Sequence, residues 1–421
     1  MSIVIHKYGG TSVGSTSRIR NVANRIYKWH SAGYQMVIVT SAMSGDTNRL
    51  LNLTSEIDIY ANNRELDMLL STGEQISTSL LSIALKKYGI NSKSYASWQI
   101  PIYTDSVHNK ARINFIDKFK IYKSLNRGFV VIITGFQGLE KNGSITTLGR
   151  GGSDTSAVAI AAALNAKECL IFTDVNGLYV NDPRIYSNSN YINSISFEKM
   201  IEMSSSGTKI LQTRSVEFSG KYIIPTRVLS SLTNPLISVS KEINSGTLIN
   251  FEEEKTMEDS ILSGISVKHD EFMINLLFIP DEFNILYSIL NHLYNKNICI
   301  DMISQNIYFE NKKILSFTVV KNEFQKSMNI LYFNLLKKNK NIDILVYKNI
   351  SKISIIGIGA KSHAEIINLI FFHLSKNKIN IKIINTSEIK ISILINNKDL
   401  EKAIFLLNKI FYLNSKFRKF L

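Results

Sequence analysis

Two glycine-rich turns, each set between a short apolar run and a helix-forming run, constrain this chain more than any other feature. In the first, the strand-like Ile3–Ile5 leads into Lys7-Tyr8-Gly9-Gly10-Thr11-Ser12. In the second, the strand-like Ser144–Leu148 leads into Gly149-Arg150-Gly151-Gly152-Ser153-Asp154-Thr155 and then into a small-residue helix, Ser156–Leu164. Bare glycine backbone lets N–H groups close on an anion, and a helix N-terminus behind it adds a positive dipole end. Arg150 offers a planar two-pronged fork for a carboxylate or phosphate, and Lys7 a compact ammonium. Two anion cradles, each with its own cation, predict two anionic ligands brought together, as phosphoryl transfer requires.

The surrounding pattern says what carries those turns. Short apolar runs at Met36–Thr40, Phe129–Thr134 and Glu168–Thr173 alternate with helical segments, one of them carrying Ile19, Val22, Ala23 and Ile26 at helical spacing. A longer helical stretch is predicted over Glu65–Tyr88. Alternation of this kind predicts a largely parallel sheet with helices on both faces. Ligands of such sheets bind beyond the carboxyl ends of the strands. Gly9-Gly10, Ser41, Gly135-Phe136 and Asp174 all fall at such ends, which predicts one shared site.

Composition narrows the setting. At 421 residues the chain is long enough for two or three domains, each with its own core. Its two cysteines, Cys169 and Cys299, sit in apolar strand-like runs, which excludes a disulfide framework and predicts a reducing, cytoplasmic home. The N-terminus opens on a strand pattern instead of a basic-then-apolar leader, and no apolar run reaches the length of a membrane span. The net charge of +15 is spread along both halves without a basic block, so a solvated surface is expected and no nucleic-acid partner. His6, His30 and His108 lack metal-ligand spacing, and no protein-bound metal is expected.

Beyond a charged connector at Phe251-Glu252-Glu253-Glu254-Lys255 the pattern changes to an internal repeat. His292-Leu293 followed by Ile298-Cys299-Ile300-Asp301-Met302-Ile303 recurs as His373-Leu374 followed by Ile379-Asn380-Ile381-Lys382-Ile383-Ile384, at an offset of 81 residues. Each copy opens on a strand (Ile274–Phe278; Ile353–Ile356) and a helix (Phe283–Tyr294; Ala364–Ser375) before that second strand. A further strand and helix follow, Ile314–Val319 with Phe324–Leu336 and Ile389–Ile395 with Leu400–Phe411. Two small βαββαβ units without a glycine-rich loop read as a sensor or assembly module.

Together these segments resemble aspartokinase over nearly the whole chain. The matching motifs are Lys7-Tyr8-Gly9-Gly10-Thr11-Ser12-Val13, Ser41-Ala42-Met43, Ser71-Thr72-Gly73-Glu74 and Gly135-Phe136-Gln137-Gly138. They continue with Thr147-Leu148-Gly149-Arg150-Gly151-Gly152-Ser153-Asp154-Thr155, Thr173-Asp174-Val175-Asn176-Gly177-Leu178-Tyr179 and Asp182-Pro183-Arg184. The resemblance implies an α/β fold: an amino-acid-kinase (carbamate-kinase-like) three-layer αβα domain over residues 1–245. A linker at 246–260 would follow, then two ferredoxin-like ACT domains at 261–348 and 349–421.

By resemblance the chain phosphorylates the β-carboxylate of L-aspartate with ATP and Mg²⁺, giving 4-phospho-L-aspartate, the first step towards lysine, threonine and methionine. Arg150 would hold the α-carboxylate and Glu74 the amino group, with Ser41, Thr47 and Ser153 completing the pocket. Thr173, Asp174, Tyr179 and Arg184 would bind ATP. Lys7, Gly9, Gly10 and Lys209 would meet the transferring phosphoryl group. A carboxylate nucleophile, with a reference pKa of about 3.9, is already ionised at neutral pH and needs no general base. Asp154 therefore reads as an organiser of Lys7 and Lys209.

For the C-terminal half the resemblance implies ACT domains that pair between subunits and bind lysine or threonine. Gln305-Asn306 and Asn385-Thr386-Ser387 match the effector motifs and occupy equivalent places in the repeat. The Pro-Gly pair usual in the effector loop is replaced by Ile279-Pro280-Asp281-Glu282-Phe283 and Lys361-Ser362-His363-Ala364-Glu365. Met257 stands where some relatives start a separate ACT-only subunit. The competing readings are another amino-acid kinase, disfavoured by the double ACT tail, and a catalytically dead sensor, disfavoured by Lys7, Arg150, Asp154, Asp174 and Lys209 standing together.

Overall fold

The computed structural model describes residues 2–181, 189–207, 210–251, 263–280, 282–296, 298–308, 312–333, 342–357, 364–387 and 389–413. The chain divides into two units, residues 1–205 with 209–256, and residues 206–208 with 257–421.

The first unit begins with β1 (Ile3–Tyr8), α1 (Thr16–Ser31), β2 (Gln35–Thr40), α2 (Asp46–Ile57), α3 (Asn63–Leu70), α4 (Thr72–Lys86) and β3 (Ser92–Tyr95). There follow β4 (Ile102–Thr104), β5 (Ile113–Ile116), α5 (Phe119–Leu125), β6 (Val130–Thr134), β7 (Gln137–Leu139), β8 (Ile145–Thr147), α6 (Gly152–Ala163) and β9 (Glu168–Thr173). The unit closes with β10 (Leu178–Tyr179), β11 (Tyr191–Ile192), β12 (Ser194–Ser196), α7 (Phe197–Ser205), α8 (Thr213–Lys221), β13 (Thr226–Ser230), α9 (Val239–Ile243) and β14 (Thr247–Asn250). Eight strands make the main sheet, in the order β12-β14-β13-β9-β1-β2-β6-β3. Every pairing in it is parallel except β13 with β14. A four-stranded sheet, β5-β4-β7-β8, stands beside it.

Side-chain alternation along the strands makes the three layers. Val4, Tyr8, Met36, Ile38, Val130, Ile132, Leu170 and Phe172 pack one face of the sheet onto Ile19, Val22, Ile26 and Trp29 of α1 and Leu81 and Leu85 of α4. The other face of β1, β2 and β9 is covered by α6, which in turn meets α8. Lys7, lying between His6 and Tyr8, therefore points to the α6 side.

Two elements differ from the sequence reading. The stretch Glu65–Tyr88 is broken at Ser71 into α3 and α4, because the Ser71 carbonyl accepts from Gln137 Nε2 at 3.0 Å. Gly73 just after the break lets the chain press on Ala42; a Cβ there would lie 2.8 Å from Ala42 Cβ. The helix predicted from Ser156 starts at Gly152 instead, because Gly151 in the left-handed region (φ +67°) turns the chain straight into it.

The second unit contains β15 (Gly264–Pro280), α10 (Phe283–Tyr294), β16 (Ile303–Tyr308), β17 (Lys312–Val320) and α11 (Lys321–Leu331). It continues with β18 (Asp343–Ile356), α12 (Ala364–Lys376), β19 (Ile381–Thr386), β20 (Lys390–Asn396) and α13 (Leu400–Leu413). Its six strands form one antiparallel sheet, β16-β17-β15-β18-β20-β19. The two copies share it. The long central strands belong to both: Gly264–Lys268 of β15 pairs with Ile356–Lys352, whereas Glu271–Leu277 pairs with the earlier part of β18. The segment ahead of the first copy thus supplies the last strand of the second, and position 348/349 lies inside β18. Cys299, expected in a strand, is exposed in the connection before β16. Among the described residues no helix is long and apolar enough to cross a membrane.

Candidate active site

The carboxyl ends of β1, β2, β6 and β9 converge. After β1 the Gly9 amide donates to the Phe172 carbonyl at 3.1 Å, tying the first glycine turn to β9. The Gly10 backbone runs so close to the Ala42 carbonyl that a Cβ would sit 3.0 Å from it. The Ser41 amide donates to the Tyr8 carbonyl at 3.1 Å, and the Gly135 amide to the Thr40 carbonyl at 3.0 Å. Each strand end is thereby laced to its neighbour.

Lys7 Nζ lies 2.6 Å from Asp154 Oδ1, and both side chains are about nine-tenths buried. The same ammonium stands 3.5 Å from where a Gly9 Cβ would be. The pair joins β1 to the first turn of α6 and holds a positive charge over bare backbone. Ser153, one residue earlier, presses against Gly135; a Cβ on that glycine would come 2.8 Å from Ser153 Cβ.

Glu74, in the first turn of α4, is buried, and its Oε1 accepts from the Ala42 amide at 3.0 Å. Its Oε2 has no partner among the described residues. Burial pushes its carboxyl up to about 8, only partly offset by that amide. A buried carboxyl with one free oxygen suits a cationic ligand group. Ser77 beside it donates to the Ser41 carbonyl at 2.7 Å, and Thr78 shares a 2.6 Å hydrogen bond with Thr40. Ser41 and Thr47 are half-buried, at the end of β2 and in the first turn of α2.

Arg150 is exposed and makes no hydrogen bond or ion pair with the described residues. On the β9 side Thr173 donates from Oγ1 to Asp174 Oδ1 at 3.1 Å, with Asp174 exposed. Tyr179 stands edge-on to Tyr191, ring centroids 5.5 Å apart. Arg184 and Lys209 lie outside the described residues. In the second unit, Gln305 and Asn306 sit on β16, while Thr386 and Ser387 sit at the end of β19, all four exposed. These strands are the two opposite edges of the sheet, so one chain does not bring the four residues together.

Sequence reasoning passed over Asp67, Gln212 and Arg214, which surround the Gly149–Gly152 turn. Asp67 sits in the helical stretch before the Ser-Thr-Gly-Glu motif, where an acidic residue reads as solvated. Only its complete burial singles it out.

With this geometry the comparisons converge. Residues 2–230 match the amino acid kinase family, and residues 353–411 match an ACT domain. Over 419 residues the chain is 45% identical to the aspartate kinase of Pseudomonas putida, covering 100% of both. The chain belongs to the aspartate kinase family. The aspartokinase of Pseudomonas aeruginosa is 44% identical over 420 residues, again 100% of both chains. The fold matches that of Escherichia coli aspartokinase III, solved with aspartate and ADP, at a TM-score of 0.80 and 22% identity over 97% of this chain and 99% of that one. The enzyme is therefore an aspartate kinase with a C-terminal ACT region, and the full-length match sets aside another amino-acid kinase and a dead sensor.

Proposed function

We propose that this enzyme moves the γ-phosphoryl group of ATP onto the β-carboxylate of L-aspartate, giving 4-phospho-L-aspartate and ADP on the route to lysine, threonine and methionine. The carrying observation is the buried Lys7 ammonium, pinned by Asp154 over the bare Gly9 turn. One β-carboxylate oxygen attacks phosphorus in line, and the bond to the β,γ-bridging oxygen breaks, its electron pair leaving with ADP. No proton moves, because the nucleophile is already an anion. The protein's task is to align two mutually repelling anions and to neutralise the charge that develops.

Lys7 supplies that neutralisation, with Lys209 as a second cation; the Gly10 amide faces the phosphates, and Gly9, whose own amide is held by the Phe172 carbonyl, offers them bare backbone to approach. Asp154 fixes Lys7 and takes no proton. Arg150 clamps the α-carboxylate of aspartate, Glu74 takes its ammonium, and Ser41, Thr47 and Ser153 complete the pocket. Thr173, Asp174, Tyr179 and Arg184 hold the nucleotide. Mg²⁺ enters on the triphosphate, as part of the substrate.

The ACT region is proposed to bind lysine or threonine between two copies of the chain, through Gln305 and Asn306 on one edge strand and Thr386 and Ser387 on the other. Met257 would be the start of a separately made ACT subunit, and the cytoplasm the site of action. The central claim is tested by trapping the acyl phosphate with hydroxylamine: hydroxamate should form only when aspartate, ATP and Mg²⁺ are all present. Absence of an aspartate-dependent signal overturns it.

A further inference from the structure

The connection from β8 to α6 is short, Leu148–Gly151, yet nearly every residue in it is fixed from outside. Just before it, Thr147 donates to the fully buried Asp67 of α3 twice, from its amide to Oδ2 at 3.0 Å and from Oγ1 to Oδ1 at 2.6 Å. The same carboxylate receives the Asn109 amide at 3.1 Å and His108 Nδ1 at 2.7 Å. Leu148 donates its amide to the Phe136 carbonyl at 2.8 Å. The Leu148 carbonyl accepts from Arg214 Nη1 of α8 at 3.1 Å, while Arg214 Nη2 donates to the Ala111 carbonyl at 2.8 Å. Ala111 closes the ring by donating its amide to the Thr147 carbonyl at 2.9 Å.

The glycines of the turn are held by contact. Gly149, at φ +80°, passes so near the Asn109 carbonyl that a Cβ would come 2.8 Å from it. Gly151 is covered by Gln212, whose Cγ would be 1.7 Å from a Cβ there. Arg150 alone is exposed and unengaged among these residues.

We propose that Asp67 and Arg214 are positioning residues for aspartate binding, clamping the turn from opposite sides so that the Arg150 guanidinium meets the substrate's α-carboxylate without reorganising. The inference rests on Arg150 being the aspartate clamp. Asp67 gathers amide and hydroxyl donors from two segments, and Arg214 gathers carbonyls from the same two. Each therefore ties the residue 108–111 loop to the Arg150 turn, so loss of either lets Arg150 drift. Misplacement by about 1 Å costs up to about a hundredfold in a positioned reaction.

Steady-state kinetics on the full chain decide it, with KM measured separately for aspartate and for ATP. Asp67→Asn and Arg214→Met should each raise KM for aspartate roughly tenfold or more while KM for ATP stays within about twofold. Arg214→Lys, which keeps a donor, should recover part of the loss. Equal shifts in both KM values, or a lowered Tm with KM for aspartate unchanged, would show that the clamp serves only the fold and overturn the proposal. If Asp67→Asn does not fold, the Arg214→Met and Arg214→Lys pair decides the question by itself. Arg150→Ala separates the two readings. An unchanged KM for aspartate in that variant takes down the Arg150 role and the clamp together. A raised KM there, with normal values in the Asp67 and Arg214 variants, takes down the clamp alone.

Discussion

The Lys7 ammonium lies 2.6 Å from the Asp154 carboxylate across the β1–α6 contact, with both side chains about nine-tenths buried. An ammonium carries three N–H donors, so pairing with one carboxylate oxygen leaves others for a phosphate. Lys7→Met should therefore lower kcat by about 10²–10³-fold, the usual scale for losing one preorganised donor to developing charge. Nucleotide affinity, measured by calorimetry with ADP, should change by less than roughly fivefold. Parallel loss of binding and turnover would remove the transition-state role. With Asp154 proposed as an organiser of Lys7 and not as a base, Asp154→Asn should reduce kcat without creating a new ionisation in the pH–rate profile.

Glu74 carries a pH dependence with a definite sign. Its carboxyl titrates at about 8, above the ordinary 4.5, because it is buried. An ammonium ligand needs the carboxylate, so with the proposed Glu74 role aspartate binding below about pH 8 would expel a proton. KM for aspartate should fall about tenfold per unit as pH rises from 6 to 7, then flatten near 8. Glu74→Gln should give a higher and flat profile. The folded state holds a proton that the unfolded chain releases above about 4.5, so stability falls as pH rises from there through 8. Glu74→Gln should accordingly raise Tm by roughly 5 °C at pH 8 and leave it unchanged at pH 4.5. A wild-type KM independent of pH between 6 and 8 would dispose of the ammonium-binding role.

Gly135 tests how tightly the substrate side is packed. A methyl group there would meet Ser153 Cβ at 2.8 Å, and α6 is fixed against β1 by Lys7 and Asp154. Gly135→Ala must therefore push Ser153 and the start of α6 outward. KM for aspartate should rise at least roughly tenfold, with a Tm loss of a few degrees. Unchanged kinetics would mean that Ser153 does not contact substrate.

Much of the catalytic half was legible in the sequence because its signals are local. Glycine turns after apolar runs, period-two strands and the Ala-rich run after Asp154 each specify their own geometry. The break at Ser71 was not legible, since it depends on Gln137 reaching the Ser71 carbonyl from a distant segment. Asp67 and Arg214 were hidden for the same reason: their partners, Thr147, Asn109, Leu148 and Ala111, are far away in sequence. In the C-terminal half the repeat was visible, but the closing of the second copy by Gly264–Lys268 was not. No local pattern tells a strand which copy it will join.

Any effector control should be separable from catalysis. Gln305 and Asn306 lie on one edge strand and Thr386 and Ser387 on the opposite one, so a ligand touching both pairs bridges two chains. Ile307, beside the first pair, is 82% exposed on β16. Ile307→Lys should shift the enzyme towards monomers in sedimentation and abolish any inhibition by millimolar lysine or threonine, with effector-free kcat unchanged. If neither amino acid alters activity or Tm in the unmodified enzyme, the ACT region is purely structural.

Glu242 anchors the layer of the kinase domain furthest from α6. Its Oε1 accepts from Arg25 Nε at 2.6 Å, and its Oε2 from Trp29 Nε1 at 2.7 Å and Lys28 Nζ at 3.0 Å. Arg25 is fully buried, stacks over Phe172 at 5.0 Å, and donates from Nη1 to the Ser231 carbonyl and from Nη2 to the Thr233 carbonyl and Oγ1. The Arg25–Glu242 pair thus joins α1 to α9 through the carboxylate and to the loop after β13 through the guanidinium. Removing the carboxylate would leave an uncompensated guanidinium in the core, which costs about 3–5 kcal/mol. Glu242→Ala should lower Tm by roughly 10 °C, whereas Glu242→Gln, which keeps acceptor geometry but loses the charge, should fall between that variant and the wild type. Neither should change KM for aspartate or ATP in the folded fraction, because Glu242 touches no residue of the candidate site. A loss of less than about 1 kcal/mol for the alanine variant would mean that water enters to solvate Arg25.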